Sequence, residues 1–176
     1  VRGIYERIAV KSEDTAVVSG PGVMGLMALQ VLKSRGAHVI LSGLPQDQER
    51  LALGKQLGAD ETVSSLPELR TAVYRRNSLG ADITCDTTGV PASLKTCLEV
   101  TRPLGVHLQI GMFGTPVTLS LDSLMEQEIT YVPSYSTATS TWPITLKLLA
   151  EGKVSLAPLV SRTYPLTQWQ TAFEAV

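Results

Sequence analysis

Short apolar runs alternate with longer segments of helical spacing along most of the chain. The run that starts at His38 is apolar at successive positions, which is typical of a strand covered on both faces. Glycines and capping residues separate the segments. The pattern predicts strands at 15–19, 38–42, 61–63, 82–86, 106–110 and 129–133. It predicts helices at 23–34, 47–57, 65–77, 91–101, 122–127 and 142–150, a short helix or linker over 1–10, and a last helix from Thr167.

Six strands that alternate with helices predict an α/β fold: a doubly wound, six-stranded parallel sheet of the Rossmann type, with helices on both faces. The expected strand order is 3-2-1-4-5-6, with right-handed crossovers. Ligands bind such a sheet outside the carboxyl ends of its first and fourth strands, where the order reverses. Thr87 and Thr88 follow the fourth strand at this point, and Ile110, Gly111 and Met112 lie at the end of the fifth.

A G-x-G-x-x-G motif lies between the first predicted strand and the first long helix, which is the context that this motif needs. Gly20 would permit the tight turn, Gly22 a close approach of a pyrophosphate, and Gly25 close packing of helix and strand. Free N–H groups at the helix start favour the phosphate charge. The alternative is a glycine-rich turn without a ligand. The predicted phosphate-binding residues are Gly20, Pro21, Gly22, Val23, Met24 and Gly25.

Composition and charge exclude several classes of partner. The net charge is −1 and the charges are mixed along the chain, so nothing indicates nucleic-acid binding. The longest apolar stretch, 23–32, is too short to span a bilayer. Two isolated cysteines, Cys85 and Cys97, indicate reduced side chains in a cytoplasmic protein. The chain starts at Val1 rather than Met, so we expect further residues before it.

The run from Gly20 to Gln30 resembles the cofactor loop and helix of the medium-chain dehydrogenases/reductases, the zinc-type alcohol dehydrogenase superfamily. The similarity continues through 49–60, 80–89, 106–114 and 159–174, and it is greatest to the polyol, threonine and sorbitol dehydrogenase branch. The resemblance implies NAD or NADP as cofactor and a small alcohol or polyol as substrate. It also places Thr87 and Thr88 near the nicotinamide; the alternative is that they only form a turn.

The family pattern is incomplete in this chain. Such enzymes carry their catalytic zinc mainly in an N-terminal domain with a Gly-His-Glu motif, whereas His38 and His107 are the only histidines here and no such motif occurs. We therefore expect the cofactor-binding half of a larger enzyme, without catalytic or metal residues of its own and inactive alone. Residues 1–152 would form the Rossmann domain, and residues 153–176 would return towards the absent domain.

The end of the second strand departs from the pattern of NAD-preferring relatives. The resemblance places an acid there to bond the ribose, but this chain has Ser42 and Gly43. The absence of this acid removes repulsion against a 2′-phosphate and so permits NADP. However, no arginine follows Gly43 immediately to bind that phosphate. Asp47 either substitutes for the acid or caps the next helix. Arg50 falls where a basic side chain contacts the adenosine ribose in relatives; the alternative is a solvated charge.

Asp86, the two histidines and the sixth strand also carry predictions. Asp86 ends the fourth strand and either orients the cofactor or bonds the backbone of the next turn. His107 is predicted to be a satisfied sheet histidine rather than a general base, and His38 a partly exposed packing residue. The sixth strand is an expected sheet edge. The family resemblance implies that this edge pairs across a twofold axis in a homodimer; the alternative is a monomer whose edge is covered by loops. The candidate contacts there are Ile129, Tyr131, Leu119 and Leu121.

Other functions remain open at this level. A zinc-free quinone or enoyl reductase would share the same cofactor domain, and a non-catalytic nucleotide-sensing module would share the fold. A short-chain dehydrogenase needs Tyr-x-x-x-Lys, which none of the tyrosines begins. The family-wide resemblance also disfavours a methyltransferase, which would use a similar glycine loop for an adenosyl ligand.

Overall fold

The computed structural model describes residues 1–175 and confirms the predicted alternation of strands and helices. The strands are β1 (Thr15–Ser19), β2 (His38–Ser42), β3 (Glu61–Val63), β4 (Ala81–Asp86), β5 (Thr101–Gln109) and β6 (Thr130–Pro133). The helices are α1 (Val23–Ser34), α2 (Gln48–Gln56), α3 (Leu66–Arg76), α4 (Pro91–Val100), α5 (Leu121–Glu126), α6 (Thr141–Ala150) and α7 (Trp169–Glu174). Residues Gly3–Arg7 form one π-helical turn, within the segment predicted as a short helix or linker.

The six strands form one sheet in the order β3-β2-β1-β4-β5-β6, and every neighbouring pair is parallel. This is the predicted doubly wound topology. The chain leaves β1 on one side to build β2 and β3, and returns past β1 to build β4, β5 and β6. A crevice therefore opens between the carboxyl ends of β1 and β4, with Ser19 beside Asp86 in the register.

Side chains of β1 alternate between two cores. Ala16 and Val18 pack with α1 residues such as Leu29, while Val17 packs on the opposite face against Leu69 and neighbours from α3. All of these side chains are buried. Burying an aliphatic side chain of this size contributes about 1.5 to 3 kcal/mol, so each face of the sheet is anchored by its own helices.

The fifth strand differs from its prediction. β5 begins at Thr101 rather than at residue 106, because Ala81 pairs with Thr101 before the register jumps to Ile83 and Val106. The intervening residues form a bulge that contains Leu104 at a φ of +59°. Pro103 and Gly105 interrupt the apolar pattern there, so the sequence indicates a turn where the structure extends the strand across it.

None of the helices within residues 1–175 is long and apolar enough to cross a membrane.

Candidate dinucleotide-binding site

The first glycine of the motif makes a turn that other residues rarely adopt. Gly20 has a φ of +100°, in the left-handed region that favours glycine. Its N–H donates to the Ser42 carbonyl over 2.9 Å, which ties the turn to the end of β2. A Cβ atom on Gly20 would lie 2.5 Å from Cγ2 of Thr88. The turn therefore contacts the end of β2 on one side and Thr88 on the other.

Gly25 and Gly22 differ in the space that surrounds them. At Gly25 the contact with the glycine turn excludes a side chain, whereas at Gly22 it does not. A Cβ on Gly25 would lie 1.8 Å from the Gly20 carbonyl oxygen, so α1 packs directly on the turn. At Gly22 no described atom outside its chain neighbours lies within 4 Å of the same position. Gly22 precedes α1, and within the described residues no side chain caps that helix and its first turn contains no acid. The N–H groups of Val23 and Met24 have no acceptor among the described residues, which fits an anionic ligand.

Thr87 fastens the end of β4 to the glycine turn. Its hydroxyl donates to the carbonyls of Ser19 (2.8 Å) and Gly20 (3.1 Å), and its N–H also bonds the Ser19 carbonyl (3.1 Å). The Thr88 hydroxyl in turn accepts the N–H of Val90 over 3.0 Å. These threonines therefore shape the site through contacts within the chain, and the predicted contact of either with a nicotinamide stays a prediction.

Asp86 lies at the centre of this construction. It is fully buried, and it accepts hydrogen bonds from the Thr88 N–H (3.0 Å) and hydroxyl (2.7 Å), the Gly89 N–H (3.2 Å), the Ser93 hydroxyl (2.6 Å) and the Gln109 amide (2.6 Å). Burial on its own would raise the pKa of Asp86, but these hydrogen bonds outweigh it and hold the pKa below its ordinary value. The buried carboxylate thus bonds the turn backbone, as one of its two interpretations predicted.

The hydrogen bonds around Gln109 assign the tautomer of His107. Gln109 donates its amide to Asp86 and, over 2.8 Å, to the Gly111 carbonyl, so its oxygen faces Nε2 of His107 at 3.0 Å. An amide oxygen only accepts, so Nε2 carries a proton. Burial lowers the pKa of His107, and Nδ1 lies 2.9 Å from the Thr84 hydroxyl, which also bonds the Thr101 hydroxyl over 2.8 Å. The prediction of a satisfied sheet histidine is confirmed, since neither ring nitrogen is free to act as a base.

The segment after β5 closes against the segment after β4. The N–H groups of Ile110 and Gly111 both donate to the Asp86 carbonyl, over 2.9 and 3.0 Å. A Cβ on Gly111 would lie 2.1 Å from the backbone nitrogen of Gly89. Met112 follows with 72% of its surface exposed. The two segments meet by backbone contact, and the next side chain points out of the core.

Two cavities flank the glycine turn. One of about 290 Å³, named here the β2 crevice, is lined by Gly20, Pro21 and residues from the ends of β2 and the start of α4. The other, of about 480 Å³, is lined by Met24, Ile110, Met112 and apolar residues from α1 and α6. A dinucleotide has two ends joined by a pyrophosphate, and this chain offers a cavity on each side of the glycine turn.

Of the residues predicted near the ribose, Ser42, Gly43 and Asp47 line the β2 crevice, and Arg50 does not. Ser42 and Gly43 line it, and a Cβ on Gly43 would lie 2.9 Å from Cγ of Pro21. Asp47 also lines it, and its Oδ2 accepts the N–H of Leu44 over 2.9 Å. Asp47 precedes α2 as predicted, but its carboxylate bonds the preceding turn and not the helix. Arg50 lies exposed in the first turn of α2, away from the lining, so its contact with a cofactor stays a prediction.

Sequence reasoning missed three side chains of the site. Ser19, Ser93 and Gln109 link the ends of β1 and β5 and the start of α4 to Asp86, and Ser93 also bonds the Ser19 hydroxyl over 2.8 Å. Their positions at the carboxyl ends of neighbouring parallel strands, or in the helix that follows one, were the available signal. Polar residues at such positions meet at one edge of the sheet even when they are far apart in sequence.

The described residues do not fit a zinc ion. No group of three or more histidine, cysteine, aspartate or glutamate side chains within 1–175 is placed to hold a metal. Burial raises the pKa of Cys85 to about 12 and that of Cys97 well above its usual value, which disfavours the thiolate that zinc binds. Both ring nitrogens of His107 are engaged. No chemical step of this chain is therefore assigned to a metal.

Comparisons with known proteins agree with this geometry. The family model for zinc-binding dehydrogenases matches residues 23–151. D-arabitol-phosphate dehydrogenase of Enterococcus avium is 35% identical over all of this chain, and sorbitol dehydrogenase of Halalkalibacterium halodurans is 32% identical over 97% of it. The match covers 51% and 50% of those two proteins, so the chain spans about half the length of the curated relatives that it matches.

Solved structures give the same result. Zinc-dependent alcohol dehydrogenase 2 from Streptococcus pneumonia superposes with a TM-score of 0.85 and 26% identity, over 94% of this chain and 48% of that one. L-idonate 5-dehydrogenase from Escherichia coli has a TM-score of 0.80 and 28% identity, over 93% and 46%. The chain belongs to the zinc-binding dehydrogenase family and corresponds to the cofactor-binding half of its alcohol and polyol dehydrogenases.

Proposed function

We propose that this chain binds a nicotinamide dinucleotide, NAD or NADP, across the glycine turn. The open first turn of α1 beside Gly22, between two cavities, is the observation that carries the proposal. The backbone of residues 20–25 holds the pyrophosphate, and Ser42 and Gly43 lie on the adenosine side. Thr87, Thr88 and residues 110–112 shape the nicotinamide side. Hydride transfer is the chemistry that this cofactor supplies when it is bound.

The whole protein is, in this proposal, a zinc-dependent oxidoreductase that acts on a small alcohol or polyol. The names of the relatives support this class, since they include dehydrogenases of D-arabitol phosphate and sorbitol. Zinc and most of the substrate pocket would belong to residues outside this chain, because the described residues do not fit the metal. The chain alone would bind nucleotide without turning over substrate.

A fluorescence titration tests the binding proposal directly. NADH and NADPH are titrated separately into the 176-residue chain, and nicotinamide emission is followed together with calorimetry. We expect saturable binding of at least one nucleotide. Binding of neither at millimolar concentration contradicts the proposal. Steady turnover of sorbitol with NAD by this chain would contradict the expectation that it is inactive alone.

We propose that the Rossmann domain ends near residue 155, slightly beyond the expected residue 152, on the basis of burial and hydrogen bonding. Val154 still packs in the core, and Ser155 exchanges two hydrogen bonds with Gln30 of α1 (2.7 and 3.2 Å). Beyond it, Leu166, Trp169 and Phe173 are 89, 60 and 78% exposed. We infer that another part of the same protein covers this apolar face. Limited proteolysis should cut first after residue 155 in the chain alone, and cutting elsewhere first would contradict the boundary.

A homodimer through the β6 edge is proposed, with fewer contact residues than expected. Ile129 is buried against Leu94 and Leu98 of its own chain, so it is not free to meet a partner. Leu121 is 72% exposed and remains available. The variant Leu121→Asp should lower the mass in sedimentation equilibrium from dimer to monomer, whereas Leu79→Asp, at another exposed position, should not. A monomeric wild type would contradict the proposal.

A reducing compartment such as the cytoplasm is proposed from the cysteines. Cys85 and Cys97 are both free and buried. Thiols kept in this form are usual in reducing compartments.

A further inference from the structure

The β2 crevice has a single charged side chain in its lining. Among the described residues that line it, only Asp47 carries a charge, and the others are small polar or apolar. The crevice begins beside Gly20 and Pro21 of the glycine turn. A ligand group that extends from the glycine turn into this crevice therefore lies near the negative charge of Asp47 and near no lining cation.

The local backbone holds Asp47 at this place. Residues Pro45–Asp47 form one 3₁₀ turn, and Leu44 and Asp47 bond each other twice. The Asp47 N–H donates to the Leu44 carbonyl (2.9 Å), and Oδ2 accepts the Leu44 N–H (2.9 Å). A carboxylate offers about four acceptor positions, so one such bond leaves capacity for a further donor.

No basic residue lines the β2 crevice among the described residues. Lys55 donates to the Asp60 carbonyl over 2.5 Å and Arg75 pairs with Glu61 over 2.5 Å, so both lie near the start of β3. Arg50 is exposed on α2 and does not line the crevice. Gly43 cannot easily carry an acid itself, because a Cβ there would lie 2.9 Å from Pro21 and 3.2 Å from Leu51. The negative charge near the end of β2 thus comes from the 3₁₀ turn that follows this strand.

We propose that Asp47 is the residue that selects the cofactor, so that the chain prefers NAD to NADP. The inference rests on the proposed nucleotide binding at the glycine turn. A ribose 2′-hydroxyl can donate a hydrogen bond to the Asp47 carboxylate. A 2′-phosphate would instead place a second negative charge beside Asp47, and no cation in the crevice lining would compensate for it. Asp47 would act on nucleotide affinity and leave the chemical step to other groups.

The test compares Asp47→Asn with the matched control Glu49→Gln. Asparagine keeps an oxygen that can accept the Leu44 N–H, so the turn is retained while the charge is lost. Glu49 lies exposed in the first turn of α2 and outside the crevice lining, so its replacement removes an equal charge two residues away. Dissociation constants for NADH and NADPH are measured by fluorescence and calorimetry on each chain, and circular dichroism checks the fold.

We expect the wild type to bind NADH at least about ten-fold more tightly than NADPH. Asp47→Asn should reduce this ratio by about ten-fold, mainly by tightening NADPH, and Glu49→Gln should change it by less than about two-fold. Equal affinities in the wild type, a preference for NADPH, or an equal effect of both substitutions overturns the assignment of Asp47 while nucleotide binding stands. Binding of neither nucleotide to the wild type overturns the proposed function, and this inference with it.

Discussion

The proposed phosphate end and the proposed ribose end of the site differ in what holds their residues in place. At the phosphate end, Gly20, Gly25 and Gly111 each lie where a Cβ would come within 2.5 Å of another atom of the chain, and Asp86 is fully bonded. At the ribose end, one partly exposed carboxylate stands alone in its crevice. Close packing determines which residues are tolerated at the first end, whereas the charge of Asp47 is the main feature of the second. Substitutions at the first should therefore alter stability, and those at the second should alter choice of ligand.

The largest expected effect is that of Gly25→Ala. The added methyl group would lie 1.8 Å from the Gly20 carbonyl, and the turn cannot retreat because it is bonded to the end of β2. We expect the free energy of unfolding to fall by about 3 kcal/mol or more, with loss of nucleotide binding. Urea unfolding followed by circular dichroism measures the first and fluorescence titration the second.

Gly22→Ala is its matched control at the same end. Apart from its chain neighbours, no atom of residues 1–175 lies within 4 Å of the added methyl group, so we expect the free energy of unfolding to fall by less than about 1 kcal/mol. Nucleotide affinity should nevertheless drop by about ten-fold or more, because the methyl group would occupy the approach of the pyrophosphate. Unchanged affinity in this variant would show that the phosphates do not lie over the first turn of α1.

Asp86→Asn should have the second largest effect. The new amide would direct a donor at groups that already donate to Asp86, which costs about 2 to 3 kcal/mol at a buried site. Asp122→Asn is the control, since Asp122 is exposed in α5 and its replacement should leave stability nearly unchanged. Equal unfolding midpoints for the two variants would contradict the central role of Asp86.

The same variant predicts a pH dependence. The pKa of Asp86 is lowered in the folded state, so its stabilisation is complete above the pKa of the unfolded state and is lost as pH falls through the folded pKa. The difference between wild type and Asp86→Asn should therefore be constant near neutrality and shrink below about pH 3.9, the ordinary aspartate pKa. Urea unfolding at neutral and acidic pH measures it, and a difference that grows on acidification would contradict the sign.

Gly43→Asp should have a moderate effect on stability, although Gly43 lies at the proposed ribose end. Its Cβ would press on Pro21 and Leu51, which we expect to cost about 1 to 2 kcal/mol. Adding Pro21→Ala removes the ring carbon at 2.9 Å and should restore part of this stability. A double variant no more stable than Gly43→Asp alone would show that Pro21 is not the constraint.

The smallest effect is expected for Arg50→Gln. Arg50 is exposed and outside the lining of the β2 crevice, so affinities for NADH and NADPH should change by less than about two-fold. Calorimetry with both nucleotides measures it. A selective loss of NADPH binding would instead place Arg50 at the ribose end, as the family resemblance implied.

Much of the fold was predictable because its signals are local. The apolar runs of β1 and β2 and the capping residues between helices depend on neighbours in sequence, and their predicted bounds at 15–19 and 38–42 agree with the structure. The bulge in β5 was not predictable in this way. Its pairing jumps from Thr101 to Val106 along β4, and that depends on another strand.

The sequence by itself determined the alternation of elements and the glycines at the turn between β1 and α1, since periodicity and backbone sterics are properties of short segments. Only the tertiary structure decided that Gln109 would bond Asp86 and that Asp47 would face the β2 crevice. Those outcomes depend on which strands become neighbours and where loops return. Burial, hydrogen bonding and charge act through space, between residues that the sequence separates.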